Sequence, residues 1–241
     1  MFKIYKDFLN SLQFYIFASQ YTKKKALRNA EINSQQIKNI LFDLGGVLLN
    51  INYQLTEEAF VNLGLKNFRA IYTQDRQQKL FHDFEKGNIS STEFLNMVQN
   101  IINNEVTHDD IINAWNAMLM DFPEHRYRML KTLAPNYKLY LISNTNEIHI
   151  NAFNKIFEDS FNHKFSSLFV KDYYSHIEGK RKPDAEIYEH IMLENGLIKE
   201  ETLFIDDTAE HVKSASELGF HARLLQNEDV TMMLTSMGIL T

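Results

Sequence analysis

The run Ile40-Leu41-Phe42 has no polar alternation, and it breaks at Asp43 into Leu44-Gly45-Gly46. A strand that is apolar on both faces must be covered on both faces, and the usual solution is a parallel sheet with helices above and below. Open parallel sheets place their chemistry at the carboxyl ends of strands. Asp43 stands at such an end, and the two glycines clear space for a ligand, so its carboxylate has the setting of a nucleophile. Local grammar alone also allows it to be a turn former after a strand.

Further strand-like runs follow at Tyr137–Ser143, Lys171–Ser175, Thr202–Asp206 and Phe220–Leu225. Helical patterns separate them, one from Pro183 to Asn195-Gly196 and another from Ala209 to a Gly219 cap. Between the first two strands the pattern is helical throughout. Ser90 to Glu93 and Thr107 to Asp110 read as capping boxes, with Gly87-Asn88 as a turn. Alternating strand and helix predicts the α/β class: a Rossmann-like, doubly wound parallel sheet core with a helical cap inserted after the first strand. The boundaries are 38–52 and 134–241 for the core, 53–133 for the cap and 1–37 for an N-terminal extension.

In that extension Phe2, Tyr5, Phe8, Leu9, Leu12, Tyr15 and Ile16 recur at helical spacing ahead of Lys23-Lys24-Lys25. The main reading is an amphipathic helix that packs or self-associates; a membrane-surface helix is the weaker alternative. Asp7, Asn10 and Gln13 interrupt the apolar core that a cleaved signal needs. A net charge of −6 without a basic stripe argues against a nucleic-acid partner. The absence of cysteine excludes thiolate metal sites and cysteine nucleophiles and agrees with a cytoplasmic protein; a monomer and a homodimer both stay open.

Four polar clusters fall at predicted strand ends or loops on one side of the sheet: Asp43, Ser143-Asn144-Thr145-Asn146, Lys180-Arg181-Lys182-Pro183-Asp184, and Asp206-Asp207. Each has a plain alternative. Ser143 would cap a helix, the basic triplet would be a solvated run, and the aspartate pair would cap the helix after it. Taken together they supply a carboxylate nucleophile, a hydroxyl and amides for phosphate oxygens, a cation clamp and carboxylates for Mg²⁺.

In this order and spacing the segments resemble the haloacid dehalogenase superfamily of phosphohydrolases, over roughly residues 38 to 225. Phe-Asp-Leu-Gly-Gly-Val, Ser-Asn-Thr-Asn, Arg-Lys-Pro-Asp-Ala-Glu-Ile-Tyr and Phe-Ile-Asp-Asp are most similar to a bacterial branch. That branch includes α-D-glucose-1-phosphate phosphatases and is related to the phosphatase domain of soluble epoxide hydrolase. The stretch from Leu80 to Gly87 followed by Ile89-Ser90 is similar to its cap.

The resemblance implies a Mg²⁺-dependent phosphomonoesterase for a small phosphorylated metabolite such as a sugar phosphate. Asp43 would be nucleophile and metal ligand, joined at the metal by the carbonyl of Gly45 and by Asp207, with Asp206 in support. Ser143 and the Asn144 amide would hold the phosphate, and Lys182 would clamp it to the nucleophile. His82, Glu85 and Trp115 are candidate cap contacts. Gly45 departs from the pattern, since these phosphatases usually carry a general acid-base aspartate there. An inactive binding or regulatory relative is therefore one alternative, and a metal-free 2-haloacid dehalogenase another. His211 stands where relatives usually have Asn or Asp and reads as a helix residue.

Overall fold

The computed structural model describes residues 34–65, 75–102 and 105–241. The amphipathic helix expected over residues 1–37 falls, apart from its last four residues, outside them. Five strands form one sheet there: β1 (Asn39–Phe42), β2 (Lys138–Ser143), β3 (Lys171–Tyr174), β4 (Thr202–Asp206) and β5 (His221–Leu224). They run parallel in the order β3-β2-β1-β4-β5. The chain thus winds outward from β1 in one direction, then returns and winds outward in the other. The reversal lies between β1 and β4, the place where an open parallel sheet opens a crevice at its carboxyl edge. Asp43 follows β1 and Asp206 ends β4 at that edge.

Helices then follow in chain order: α1 (Tyr53–Asn62), α2 (Asp75–Glu85), α3 (Ser91–Ile102), α4 (His108–Asn116) and α5 (Glu124–Leu133) precede β2. After β2 come α6 (Glu147–Phe161), α7 (Ser175–Glu178), α8 (Ala185–Asn195), α9 (Ala209–Leu218) and α10 (Val230–Ser236). One face of the sheet buries Leu41, Tyr140, Tyr173 and Phe204 against Ile187, Tyr188 and Ile191 of α8 and Ala215 of α9. Side chains alternate along a strand, so Tyr174 turns to the opposite face, where its ring meets Phe153 of α6. Phe157, Phe122 and Phe165 continue that second layer. No helix among the described residues is long and apolar enough to cross a membrane.

The cap has a second apolar centre, which Ile148 of α6 joins from the core. Phe60 of α1, Phe81 and Phe84 of α2, Phe94 and Val98 of α3, and Ile111 and Trp115 of α4 are buried together. Phe84 and Phe94 stack with centroids 4.2 Å apart. Both capping boxes form: Ser90 and Glu93 exchange bonds ahead of α3, and Thr107 and Asp110 do so ahead of α4. Two connections join cap to core side by side, with Asn52 N–H donating to Met118 O (2.9 Å) and Met120 N–H to Asn50 O (3.0 Å).

The stretch 53–133 assigned to the cap by sequence is not one layer. α5 leaves it and packs on α10, tied by Arg126 Nε to Asp229 Oδ2 at 2.9 Å. Helical periodicity shows that α5 has an apolar face but not which layer receives it.

Phe94→Ala in the cap centre should cost about 3–5 kcal/mol, the usual loss for emptying a fully buried aromatic site. Urea unfolding measures it, and a loss below about 1 kcal/mol would mean that the cap is not close-packed.

Candidate active site

An ammonium group cannot be buried without partners, and Lys182 is only 1% exposed. Its Nζ donates to Asp43 Oδ1 at 2.6 Å, to Asp206 Oδ2 at 2.6 Å and to the Ile142 carbonyl at 3.1 Å. One side chain therefore ties the ends of β1, β4 and β2. The loop carrying it is held by Asn144, whose Nδ2 donates to the Lys182 carbonyl (2.8 Å) while its Oδ1 accepts from the Lys182 N–H (2.9 Å). Burial works against the charge of Lys182, but Asp43 and Asp206 outweigh it and hold the amine above its ordinary range. The basic triplet is thus not a solvated run.

Asp206 is fully buried, with both oxygens engaged. Oδ2 takes Lys182; Oδ1 takes the Thr208 N–H at 2.8 Å, and His211 Nδ1 lies 3.1 Å from each oxygen. Burial opposes ionisation of Asp206, yet Lys182 and His211 overcome it and keep its carboxyl low. Asp207 binds the Thr208 hydroxyl through Oδ1 (3.2 Å). Its Oδ2 comes against Gly46, which sits at φ +74°, so a side chain there would be strained and would strike the carboxylate.

Asp43, Asp206 and Asp207 bring one oxygen each to within 4.8 Å of one another. With Lys182 as the counter-charge, three carboxylates and one ammonium leave a surplus of two negative charges. The set suits a hard divalent cation, which takes carboxylate oxygens. Asp206 has its oxygens occupied, so Asp43 and Asp207 are the members able to turn an oxygen to an ion. Without one, burial pushes the Asp43 carboxyl up to about 7, with Asp206 and Asp207 adding to the rise and Lys182 opposing it.

A cavity of about 590 Å³ opens above this cluster. Asp43, Gly45, Ser143, Asn144, Lys182 and Asp207 line its inner end. The position Gly45 leaves bare is filled from the other side, because a Cβ there would strike Ile51 Cδ1. Glu85 and Trp115 reach the cavity, whereas His82 is absent from its lining and stands behind it, near Arg181 and Lys86. Sequence reasoning missed His149. Its ring stacks on Trp115, and Nε2 at 3.1 Å from the Trp115 carbonyl must donate, so Nδ1 accepts from Asn146 Nδ2. Burial lowers its pKa to about 4, which keeps it neutral. His211, read as a plain helix residue although it stands at a motif position, is a partner of Asp206; no motif spacing marks His149.

Charge crowding at Asp43 has a thermodynamic sign. Its folded pKa of about 7 lies above the ordinary aspartate value of 3.8, so between them the folded state binds more protons and stability falls as pH rises. Asp206, shifted downward, acts only below that window. In EDTA, Asp43→Asn should therefore melt above the wild type at pH 7.5, with the gap closing toward pH 4. An equal melting difference across that range in a thermal titration would refute the crowding.

The chain matches the haloacid dehalogenase-like hydrolase family over residues 37–219. It is 28% identical over 205 residues to a D-ribitol-5-phosphate phosphatase of Bacteroides thetaiotaomicron, covering 83% of this chain and all of the relative. A solved HAD family enzyme of the same organism, in complex with magnesium and inorganic phosphate, superposes with TM-score 0.75 at 33% identity, over 82% of this chain and 98% of that one. A predicted HAD-like hydrolase of Porphyromonas gingivalis gives 0.76 at 32% identity, over 83% and 97%. The L-2-haloacid dehalogenase of Xanthobacter autotrophicus shares the fold, with TM-score 0.53 at 18% identity. Sheet order, the cluster at its switch point and these matches agree: the chain belongs to the haloacid dehalogenase-like hydrolase family.

Proposed function

We propose that this hydrolase is a Mg²⁺-dependent phosphomonoesterase for a small sugar or polyol phosphate, working through an aspartyl-phosphate on Asp43. The observation that carries the reading is the buried Lys182 bridge, which presents Asp43 at the switch point beside Asp207. The D-ribitol-5-phosphate phosphatase relative and the magnesium and phosphate complex support it.

Lys182 holds Asp43 Oδ1, leaving Oδ2 to attack phosphorus while the bond to the alcohol oxygen breaks. Ser143 contributes its hydroxyl to the phosphoryl oxygens. Asn144 contributes its backbone amide, since its side chain is committed to Lys182. Asp43 and Asp207, with the Gly45 carbonyl, would hold Mg²⁺, which supplies charge neutralisation on the transferring group. Asp206 positions Lys182 and does not itself reach the substrate. Water then hydrolyses the acyl phosphate and restores Asp43. The cap shields this exchange from bulk solvent.

The dehalogenase alternative has no use for a cation-binding Asp207 held clear by Gly46. The inactive alternative rests on Gly45 alone, against an otherwise complete set of charged groups.

Phosphate release from D-ribitol 5-phosphate should stop in EDTA, return with Mg²⁺, and vanish in Asp43→Asn, whose amide cannot attack. Halide release from a 2-haloacid without metal would instead favour the dehalogenase. Because no acid stands at position 45, wild-type kcat/KM for p-nitrophenyl phosphate should exceed that for n-pentyl phosphate by about 10²-fold or more, the usual worth of a missing proton donor. A rate insensitive to the leaving group would mean that another side chain supplies the proton.

A further inference from the structure

The groups that clasp a phosphate do not choose the alcohol attached to it. That choice falls to the outer part of the cavity, which is largely apolar through Ile51, Trp115, Met118, Leu119 and Phe153. Glu57, Glu85 and Arg181 bring charge into this lining, and the last two face each other. Glu85 ends α2 in the cap, and Arg181 precedes Lys182 in the core; Arg181 Nη2 lies 3.2 Å from Glu85 Oε2. Their side chains are 19% and 23% exposed, respectively. Arg181 Nε is buried with no hydrogen-bond partner. A buried donor left unpaired is costly, and here it stands at the wall of a cavity that a ligand would fill.

The pair is fixed in place from both sides. The Ser175 hydroxyl donates to the Glu85 carbonyl at 2.6 Å, and Lys86 Nζ meets Asp184 at 3.3 Å. Gly87 lies so close to the His176 carbonyl that a Cβ would strike it. Arg181 is the covalent neighbour of Lys182, so the pair and the phosphoryl clamp are carried by one loop and line one cavity. A carboxylate only accepts hydrogen bonds and a guanidinium only donates them. A hydroxyl does both, so adjacent hydroxyls on one carbon chain complement this pair, whereas an alkyl chain leaves the unused capacity of the pair, Arg181 Nε included, unmet.

We propose that Glu85 and Arg181 form the alcohol-recognition subsite, Glu85 accepting from and Arg181 donating to substrate hydroxyls, so that polyhydroxylated phosphate monoesters are selected over bare alkyl ones. This rests on the phosphomonoesterase reading above. Sites built to hydrogen-bond a hydroxyl reject analogues that lack it, because their polar groups are then buried unpaired.

The test compares D-ribitol 5-phosphate with n-pentyl phosphate, two five-carbon primary alkyl esters that differ in hydroxyls. Wild-type kcat/KM should favour the ribitol ester by about 100-fold or more. Glu85→Gln should reduce that ratio by about tenfold or more. Arg181→Lys, which keeps the charge opposite Glu85 and loses the planar fork, should reduce it similarly and serves if Glu85→Gln does not fold. A wild-type ratio near one overturns the inference. So does an equal loss on both esters, the mark of a proton donor or a merely structural residue. Hydrolysis of neither ester by the wild type, with Mg²⁺ present, overturns the phosphatase reading itself.

Discussion

The ammonium of Lys182 is the interaction on which the rest of the site depends. It is the point where β1, β2 and β4 meet through one atom, and it sits in an interior that cannot accept an unpaired charge. Burying Asp43 and Asp206 beside each other is unfavourable without it. Removing Lys182 would therefore be costly for both carboxylates, which would remain desolvated without a counter-charge. Stability and chemistry are therefore coupled at this atom. The sheet edge that presents the nucleophile is held by the group that orients it.

Much of the core was legible because each strand carries a local signature. Ile40-Leu41-Phe42 and Leu203-Phe204-Ile205 are short apolar runs, and both end in aspartate. Gly196 and Gly219 close their helices with positive φ, as their positions indicate. The four polar clusters were legible for the same reason: strand ends at one edge of a parallel sheet converge on a single crevice. What stayed hidden depends on distances across the chain. Nothing near position 181 shows that Arg181 will meet Glu85, nearly a hundred residues earlier. Nothing around His149 announces that Trp115 will stack on it. The layer joined by α5 is hidden likewise, because an apolar stripe specifies that a helix packs, not on what.

Cap and core meet in three different ways. The paired connections at Asn50–Asn52 and Met118–Met120 are backbone hydrogen bonds, indifferent to side chains. The aromatic centre of the cap is closed from the core by α6, which adds Ile148 to it and stacks His149 on Trp115. The end of α2 is different, since it carries charge into the cavity and is held there by core groups. Apolar burial thus seats the cap on the core, while the cap's charge enters the cavity at one corner.

The pair of hydrogen bonds between Asn144 and the backbone of Lys182 bears on which residues that position tolerates. An amide offers a donor and an acceptor side by side, matching the acceptor and donor of the main chain it faces. Aspartate has the same shape but no donor at neutral pH, so it would present an oxygen to the Lys182 carbonyl and add a negative charge beside Asp43. Isosteric replacement is thus not conservative at this position. The side chain works as a template for a loop, and its value lies in its hydrogen-bond polarity rather than in its size.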